Sequence, residues 1–259
     1  MKKNVVAIIQ GRMGSSRLPG KILEDIGGQP MLARVIMRAR RARTVDQVVF
    51  ATTVDSLDDP VAEFCRIKGF PCYRGDVYDV LDRYYQAALL YKADVIVRIT
   101  ADCPVLDPGE VDRTVNAFFD AQVDFAANRL PPPFVRTTPI GLDTEVCTFV
   151  ALERAWHEAH AKFEREHVMP YLYDQPGRFK TLVVDMQPSY GHLRWTVDTP
   201  ADLEVLRQIY AAFNNSDGFT LAELLAMSEL HPEWQAMTAD IQHNTFMDVD
   251  KRSRNANNS

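Results

Sequence analysis

Short apolar runs alternate with amphipathic segments along the chain, and this alternation indicates the fold class. Runs rich in β-branched residues predict buried strands at 5–9, 48–52, 71–74, 95–100 and 181–184, and a further strand at 192–198 that ends in an acid. Apolar residues at helical spacing predict helices that begin near 31, 59, 80, 107, 151, 200 and 220. Strands that alternate with helices build βαβ units, so the sequence predicts an α/β fold with a mostly parallel central sheet flanked by helices.

Three segments depart from this alternation. The stretch 128–147 is predicted to be an excursion from the sheet, because its part 130–141 is proline-rich and cannot form a regular helix or a central strand. Alternation of apolar and polar residues resumes at 142–146. The segment 164–173 has helical spacing but contains Pro170, which predicts a kink or break there. The last residues lose apolar periodicity, so we expect one domain over 1–235 and a polar, flexible C-terminal tail over 236–259.

The composition is that of an ordinary globular protein, with 46% of the 259 residues hydrophobic and 25% charged. The formal net charge of −6 does not favour nucleic acid or an anionic membrane as a partner. The arginines within 34–43 are therefore interpreted as a solvated helix face. No apolar run approaches the ~20 residues that span a bilayer. None of the four cysteines forms a Cys-x-x-Cys pair, so we expect free thiols and a cytoplasmic location.

The loop 10–21, which follows the first predicted strand, combines glycines, serines and the three cations Arg12, Arg17 and Lys21. Glycines allow backbone N–H groups to approach an anion, and these cations can bind phosphate oxygens, so the loop is predicted to hold a polyphosphate. It is not the common P-loop, because five residues separate Gly14 from Gly20 and Ile22 stands where Ser or Thr is required. A basic surface turn is the alternative.

Two acids follow predicted strands and are candidates for metal binding. Asp102 comes after 95–100, and Asp198 comes after 193–197. Ligands of open α/β sheets bind beyond the carboxyl ends of the strands, so both acids and the cationic loop are expected to meet there. Two carboxylates that face a triphosphate require a hard divalent cation between them, and Mg²⁺ fits this role. Taken alone, each acid has a structural alternative, as a turn residue or as a helix-entry acid.

The pattern Ile9-Gln10-x-Arg12-Met13-x-Ser15-Ser16-Arg17-Leu18-Pro19-x-Lys21 resembles the N-terminal signature of the sugar cytidylyltransferases, which include the CMP-Kdo and CMP-N-acylneuraminate synthetases. The SpsF-type (spore coat polysaccharide biosynthesis) branch is the nearest, and the resemblance extends to about Phe213. Gly11 stands where alanine is expected. The resemblance implies a Rossmann-like, nucleotide-diphospho-sugar transferase (GT-A-like) fold, a dimerisation lobe in the excursion, and Mg²⁺ held by Asp102 and Asp198.

The residues and the resemblance together predict a cytidylyltransferase that transfers CMP from CTP, or from another nucleoside triphosphate, to a small anionic sugar-like acceptor and releases pyrophosphate. A homodimer is expected. Catalysis is assigned to Arg12, Lys21 and Asp102. The predicted nucleotide-binding residues are Gln10, Gly11, Arg12, Gly14, Ser15, Arg17, Lys21, Thr52, Arg74 and Asp102. The predicted acceptor-binding residues are Arg136, Asp143, Glu145, His167 and Arg194.

Two other functions remain open at the level of sequence. A nucleotide-sugar-dependent glycosyltransferase can share this fold, but such enzymes usually carry Asp-x-Asp at a strand end, and here that pattern occurs only as Asp248-Val249-Asp250 in the polar tail. A catalytically silent binding module is the other alternative. The acceptor is also open among a sugar acid, a sugar phosphate and a polyol phosphate, and Glu145 and Arg194 could pair with each other instead of binding it.

Overall fold

The computed structural model describes residues 2–241, and within them seven strands form one sheet. Their order across the sheet is β5-β4-β1-β6-β8-β7-β9. The strands are β1 Val5–Gln10, β4 Gln47–Thr53, β5 Cys72–Gly75, β6 Val95–Thr100, β7 Phe125–Ala127, β8 Glu145–Thr148 and β9 Thr181–Val183. A separate small hairpin pairs β2, Asp25–Ile26, with β3, Gln29–Pro30.

The sheet is mostly parallel, as predicted. β1 pairs in parallel with both β4 and β6, and β4 pairs in parallel with β5. The exception is β8, which is antiparallel to β6 and to β7. After β1 the chain builds β4 and β5 on one side and then crosses to β6 on the other. The strand order therefore reverses at β1, and this is the position where open α/β sheets bind their ligands.

Helices cover both faces of the sheet. One face packs against α1 Met31–Ala39, α2 Asp59–Lys68, α4 Pro108–Ala121, α8 Pro200–Ala212, α9 Leu221–Leu230 and α10 Pro232–Ala236. The other face packs against α3 Val80–Leu90, α5 Phe149–Glu158 and α7 Pro170–Tyr173, with α6 Lys162–His167 beside α3. Within β1, Ala7 and Ile9 face the first core and Val6 and Ile8 the second, so residues 5–9 of this strand are all buried.

The structure tests the predicted break at Pro170 and the predicted strand at 192–198. The predicted break at Pro170 is confirmed, because α6 ends before it and α7 begins at it. The predicted strand at 192–198 is wrong, since this segment makes only an isolated bridge between Ile140 and Arg194. The segment 192–198 runs beside the excursion, and the two form no continuous row of strand-type hydrogen bonds. The short strand β7 was not predicted.

The interpretation of the arginines in 34–43 as a solvated face is also wrong for two of them. Arg34 and Arg38 are 3% and 0% exposed. Arg38 donates to the carbonyl oxygens of Leu106 at 2.6 Å, Asp217 at 2.9 Å and Phe219 at 3.1 Å. A buried guanidinium is tolerated because its donors are satisfied by backbone oxygens. These two arginines therefore hold the segment after α8 against α1.

The four cysteines are free, as expected. None of the helices in residues 2–241 has the length and apolarity that a bilayer-spanning segment requires. Most of the predicted flexible tail, including Asp248 and Asp250, lies outside the described residues. The domain limits of 1–235 and 236–259 remain a prediction.

Candidate active site

The cationic loop after β1 is closed by its own backbone. The N–H groups of Ser15 and Gly20 both donate to the carbonyl oxygen of Met13, at 3.0 and 2.8 Å. Gly20 has φ +77°, a conformation that glycine adopts without strain, and a single 3₁₀ turn from Lys21 to Leu23 follows it. This turn directs Lys21 inward, where the residue is only 7% exposed.

Asp58, which sequence analysis did not single out, fastens this loop to the end of β4. Its Oδ1 atom accepts from the Met13 N–H at 2.7 Å, and its Oδ2 atom accepts from the hydroxyls of Thr52 at 2.9 Å and Thr53 at 2.5 Å. Asp58 is 2% exposed, and these donors satisfy the hydrogen-bonding needs of its buried carboxylate oxygens. The available sequence signal was an acid directly before a helix with proline in its first turn. An ordinary helix-capping residue is also expected at that position, so the signal did not indicate a bond to the loop.

Lys21 connects the two predicted metal-binding acids. Its Nζ atom lies 3.0 Å from Asp102 Oδ2 and 3.2 Å from Asp198 Oδ1, and it donates to the Val197 carbonyl oxygen at 2.6 Å. Burial by itself lowers the pKa of this ammonium group, but the two carboxylates outweigh burial and raise it above its ordinary value. Asp102 and Asp198, which are distant in sequence, therefore lie on either side of a single cation.

Asp198 is held from behind by a buried ion-pair network. Its Oδ2 atom lies 2.9 Å from Arg17 Nη2 and 3.0 Å from Arg194 Nη2. Arg194 also donates through Nε to Asp202 at 2.7 Å, and Asp202 caps α8 by accepting from the N–H groups of Asp198 and Thr199. The start of α8 therefore holds Asp198 in position, although 192–198 lacks the hydrogen bonds of a regular strand.

Asp102 is the more accessible of the two acids. It follows β6, its backbone oxygen accepts from Val197 N–H at 2.9 Å, and its side chain is 26% exposed. Burial opposes its charge, but the charge of Lys21 and hydrogen bonds from Thr100 and Lys21 outweigh burial and lower the pKa of Asp102 to about 2. The carboxylate is therefore ionised at neutral pH.

This donor set fits Mg²⁺ of the kind that is delivered with a nucleotide. Carboxylate oxygens are hard ligands, and Mg²⁺ in nucleotide enzymes usually takes one or two carboxylates together with phosphate oxygens and water. Within residues 2–241, no group of three or more His, Cys, Asp or Glu side chains could hold a metal alone. Asp102 and Asp198 are thus the residues that could bind the ion, and the remaining ligands must come from elsewhere.

A cavity of about 140 Å³ opens beside the loop, at the end of β1. Two buried polar atoms in its wall, Gln10 Oε1 and Arg83 Nε, have no hydrogen-bond partner within the described part of the chain. Arg83 is 3% exposed, and burial together with the neighbouring Arg12 lowers its pKa. The cavity is lined by Gln10, Gly11, Arg12, Val77, Tyr78, Val80, Arg83, Glu166 and His167.

Arg83 was missed by sequence analysis. It belongs to α3, where it is surrounded in sequence by the apolar residues that face the core. A cation on the buried face of an amphipathic helix was the available signal. Gly75 gives it room, because a Cβ atom there would come 2.7 Å from Arg83 Cγ.

Several predicted nucleotide-binding groups have other partners in this structure. Thr52 is fully buried, and its hydroxyl donates to Asp58 rather than facing the cavity. Arg74 donates to the carbonyl oxygens of Thr53 and Asp55, so it ties β5 to the turn after β4. The N–H of Gly11 donates to Ala51 at 3.3 Å. The structure thus gives Thr52, Arg74, Gly11 and Ser15 roles in shaping the loop and its supports.

The predicted acceptor-binding residues do not converge on one group. Arg136 and Asp143 form a two-pronged ion pair at 2.5 and 3.0 Å. Glu145 pairs with Arg98 inside the sheet, which corrects the alternative that it pairs with Arg194. His167 lines the cavity beside Gln10, whereas Arg194 lies behind Asp198. Acceptor binding by these five residues remains a prediction.

Comparison with known proteins decides the family. The sequence profile of a family described as cytidylyltransferase matches residues 6–221, a span that contains the loop, Asp102 and Asp198. The chain belongs to the cytidylyltransferase family. The resemblance inferred from the loop signature is thereby confirmed, and so is the Rossmann-like α/β fold that it implied.

The relatives of this cytidylyltransferase agree with that assignment. It is 28% identical over 237 residues to the spore coat polysaccharide biosynthesis protein SpsF of Bacillus subtilis, which covers 89% of this chain and 96% of that protein. A solved cytidylyltransferase from Leptospira borgpetersenii is 31% identical, with a TM-score of 0.84 over 94% of this chain and 100% of the other. CMP-2-keto-3-deoxy-manno-octonic acid synthetase, solved in complex with CTP, shares the fold at 21% identity, with a TM-score of 0.62 over 81% of this chain and 99% of that one.

Proposed function

We propose that this cytidylyltransferase transfers CMP from CTP to a hydroxyl oxygen of a small anionic sugar-like acceptor, with release of pyrophosphate, in a Mg²⁺-dependent reaction. The observation that supports this most directly is Lys21, whose ammonium group lies against both Asp102 and Asp198. A cation-rich loop and two carboxylates at the switch point of the sheet are the groups that phosphoryl chemistry requires.

The protein's part in this reaction is positioning and charge neutralisation. Arg12 and Lys21 bind the triphosphate and offset the charge that develops on the departing pyrophosphate, and Arg17 braces the loop against Asp198. The acceptor hydroxyl oxygen attacks the α-phosphorus from the side opposite the pyrophosphate, the bond between that phosphorus and the pyrophosphate oxygen breaks, and the hydroxyl proton passes to solvent water. If bound to Asp102 and Asp198, Mg²⁺ would supply further neutralisation of the phosphate charge.

We assign the base to the cavity at the end of β1. Cytosine offers an amino group that donates and a carbonyl oxygen that accepts, and the wall offers an acceptor, Gln10 Oε1, and a donor, Arg83 Nε. Binding of cytosine would satisfy both buried atoms, whose unpaired state is costly. This assignment places the base against Gln10 and Arg83 instead of Thr52 and Arg74, which the sequence analysis predicted to bind the nucleotide.

The name of the relative SpsF assigns it to spore coat polysaccharide biosynthesis. The name of the CMP-2-keto-3-deoxy-manno-octonic acid synthetase includes a sugar acid. We therefore place the product among activated sugars used for surface polysaccharide or glycan assembly, in the cytoplasm. The acceptor class is a sugar acid or a sugar or polyol phosphate. No described feature favours a nucleotide-sugar-dependent glycosyltransferase.

We also propose that the active form is a homodimer joined through the excursion 128–147. Phe134 and Val135 in this segment are 50% and 82% exposed, and exposed neighbouring apolar side chains are typical of an interface. Light scattering at micromolar concentration should give twice the mass of one chain. A clean monomer that retains full activity would contradict this part of the proposal.

The reaction is tested by incubating the full chain with CTP, UTP, GTP or ATP, each with candidate sugar acids and sugar or polyol phosphates, and detecting pyrophosphate. We expect release only with CTP, a matching acceptor and Mg²⁺, and we expect release to stop when the metal is chelated. Pyrophosphate release from UTP, GTP or ATP at the rate seen with CTP would overturn the assignment of the base. Sugar transfer from a nucleotide sugar without pyrophosphate release would favour the glycosyltransferase.

A further inference from the structure

Lys21 occupies the place between the two carboxylates where a bridging metal would bind. Its ammonium group has three hydrogens, and three oxygens surround it: Asp102 Oδ2, Asp198 Oδ1 and the carbonyl oxygen of Val197. The side chain is 9% exposed. These carboxylate oxygens therefore have a buried cationic partner.

The remaining oxygen of Asp198 is engaged as well, because Arg17 and Arg194 both contact Oδ2. Among the described residues, the three cations Lys21, Arg17 and Arg194 lie against the three acids Asp102, Asp198 and Asp202. A divalent ion that entered alone would add two positive charges beside these cations. Within the described residues, no third His, Cys, Asp or Glu joins Asp102 and Asp198 in a group that could hold a metal.

We infer that Lys21 holds the metal position while the nucleotide is absent, and that the triphosphate draws it away. This inference rests on the proposed function. Phosphate oxygens of CTP accept the hydrogen bonds of Lys21, which frees Asp102 Oδ2 and Asp198 Oδ1 for Mg²⁺. The four negative charges of the triphosphate also balance the added ion. Metal and nucleotide consequently bind together, and each raises the affinity for the other by the same factor.

Mn²⁺ binding, followed by electron paramagnetic resonance without acceptor, tests this exchange. The wild-type chain should bind Mn²⁺ weakly alone and more tightly with CTP. Lys21→Ala should raise the affinity for Mn²⁺ alone by about tenfold, the size of one partly screened charge interaction. The same substitution should shrink the effect of CTP on Mn²⁺ affinity. Lys68→Ala, on the exposed face of α2, removes an equal charge and should change neither affinity.

Three further variants separate the effect of Lys21 lying between the two carboxylates from the effect of losing a positive charge. Arg17→Ala removes a nearby cation but leaves Lys21 between the carboxylates, so its affinity for Mn²⁺ alone should rise much less. Adding Asp102→Asn to Lys21→Ala should abolish the gain. Lys21→Met keeps the alkyl stem and should reproduce the gain if the alanine variant does not fold. Unchanged affinity for Mn²⁺ alone in the folded Lys21 variant would overturn the inference.

The outcome for the proposed function is read separately. Pyrophosphate release by the wild-type chain supports that function whatever the Mn²⁺ measurements show. If release occurs but the Lys21 variants gain no affinity for Mn²⁺, only the exchange is wrong. If no nucleoside triphosphate and acceptor give release in the presence of Mg²⁺, the proposed function is wrong, and the inference that rests on it is withdrawn with it.

Discussion

A Cβ atom on Gly11 would lie 2.7 Å from the Cβ atom of Ala101, so the first residues after β1 and β6 are matched in size. It would also come 3.2 Å from Phe50 Cε2. The resemblance to the sugar cytidylyltransferases predicted alanine at position 11. In this chain the space that such an alanine would use is already filled by Ala101.

The size match predicts a compensating pair of substitutions. Gly11→Ala should destabilise the protein by about 1–3 kcal/mol, because the added methyl group overpacks the space between the two strands. Ala101→Gly removes the opposing methyl group and should recover part of that loss in the double variant. Urea unfolding of the four proteins measures the coupling, which should reach about 0.5–3 kcal/mol. Strictly additive effects would show that the two residues do not contact each other.

Asp102 is expected to be essential for turnover. Asp102→Asn keeps the shape of the side chain but removes its charge, and kcat should fall by about 10²–10³, as is common when one electrostatic stabiliser is lost. Lys21→Ala should have an effect of similar size. Pyrophosphate release under saturating CTP measures both. Asp120→Asn on the exposed surface of α4 is the matched control, and wild-type turnover in both site variants would rule out these roles.

The base cavity predicts a defect in nucleotide binding. Arg83→Met preserves the buried stem and removes the donor, while Gln10→Met removes the acceptor. Each should raise KM for CTP about tenfold with little change in kcat, because a hydrogen bond to the base is lost. Gln10→Met should also narrow the preference for CTP over UTP, because uracil lacks the amino group that donates to Gln10, whereas both bases carry the carbonyl oxygen that accepts from Arg83. Arg66→Met, in an exposed ion pair, is the control. A loss confined to kcat would argue against a contact with the base.

Arg194 is expected to position Asp198 rather than to bind the acceptor. Arg194→Met leaves Asp198 and Asp202 with one buried cation fewer, which should cost about 3–5 kcal/mol of unfolding free energy. Arg207→Met breaks the more exposed pair with Glu24 and should cost less than about 1 kcal/mol. Urea unfolding gives both values. If Arg194→Met retains wild-type stability and only KM for the acceptor rises, the original prediction of acceptor binding is correct.

Arg38 is expected to be a stability residue. Arg38→Met leaves the carbonyl oxygens of Leu106 and Phe219 without this donor, and each such loss costs roughly 1–3 kcal/mol, whereas the Asp217 oxygen keeps a hydrogen bond from Arg41. Arg43→Met changes an exposed residue whose backbone N–H donates to Asp112, a bond that the substitution keeps, and it should change stability by less than about 0.5 kcal/mol. Thermal unfolding distinguishes them. Equal midpoints would mean that the Arg38 bonds contribute nothing net.

The fold and the approach of Asp102 to the cationic loop could be predicted because they depend on short-range patterns. β-Branched runs identify strands, and parallel strands place their carboxyl ends at one edge, so residues after β1 and β6 must approach each other. The loop signature then placed Lys21 at that edge. The path of 192–198 was misjudged because an apolar run shows burial but does not show whether a neighbouring strand is present.

The partners of polar side chains could not be predicted in the same way. Arg38 bonds to carbonyl oxygens of a distant segment, and carbonyl oxygens leave no signal in an amino-acid sequence. Thr52 and Arg74 lie near the nucleotide edge, as expected, but Asp58 and the turn after β4 satisfy them. Arg83 stands at a buried helical position where a cation is unusual, and only the cavity shows what it faces.

The manner in which Arg34 and Arg38 hold the chain after α8 affects how this region can evolve. They bond mainly to backbone oxygens of Gly27, Leu106, Asn215, Asp217 and Phe219 and to few side chains. Every amino acid carries a backbone oxygen, so changes of side chain within 215–219 leave these bonds in place, apart from changes at Asp217, which pairs with Arg34, and at Phe219, whose ring contacts Arg38. Insertions or deletions there would move the oxygens themselves. Natural variation in this connection should therefore accumulate as substitutions and spare its length.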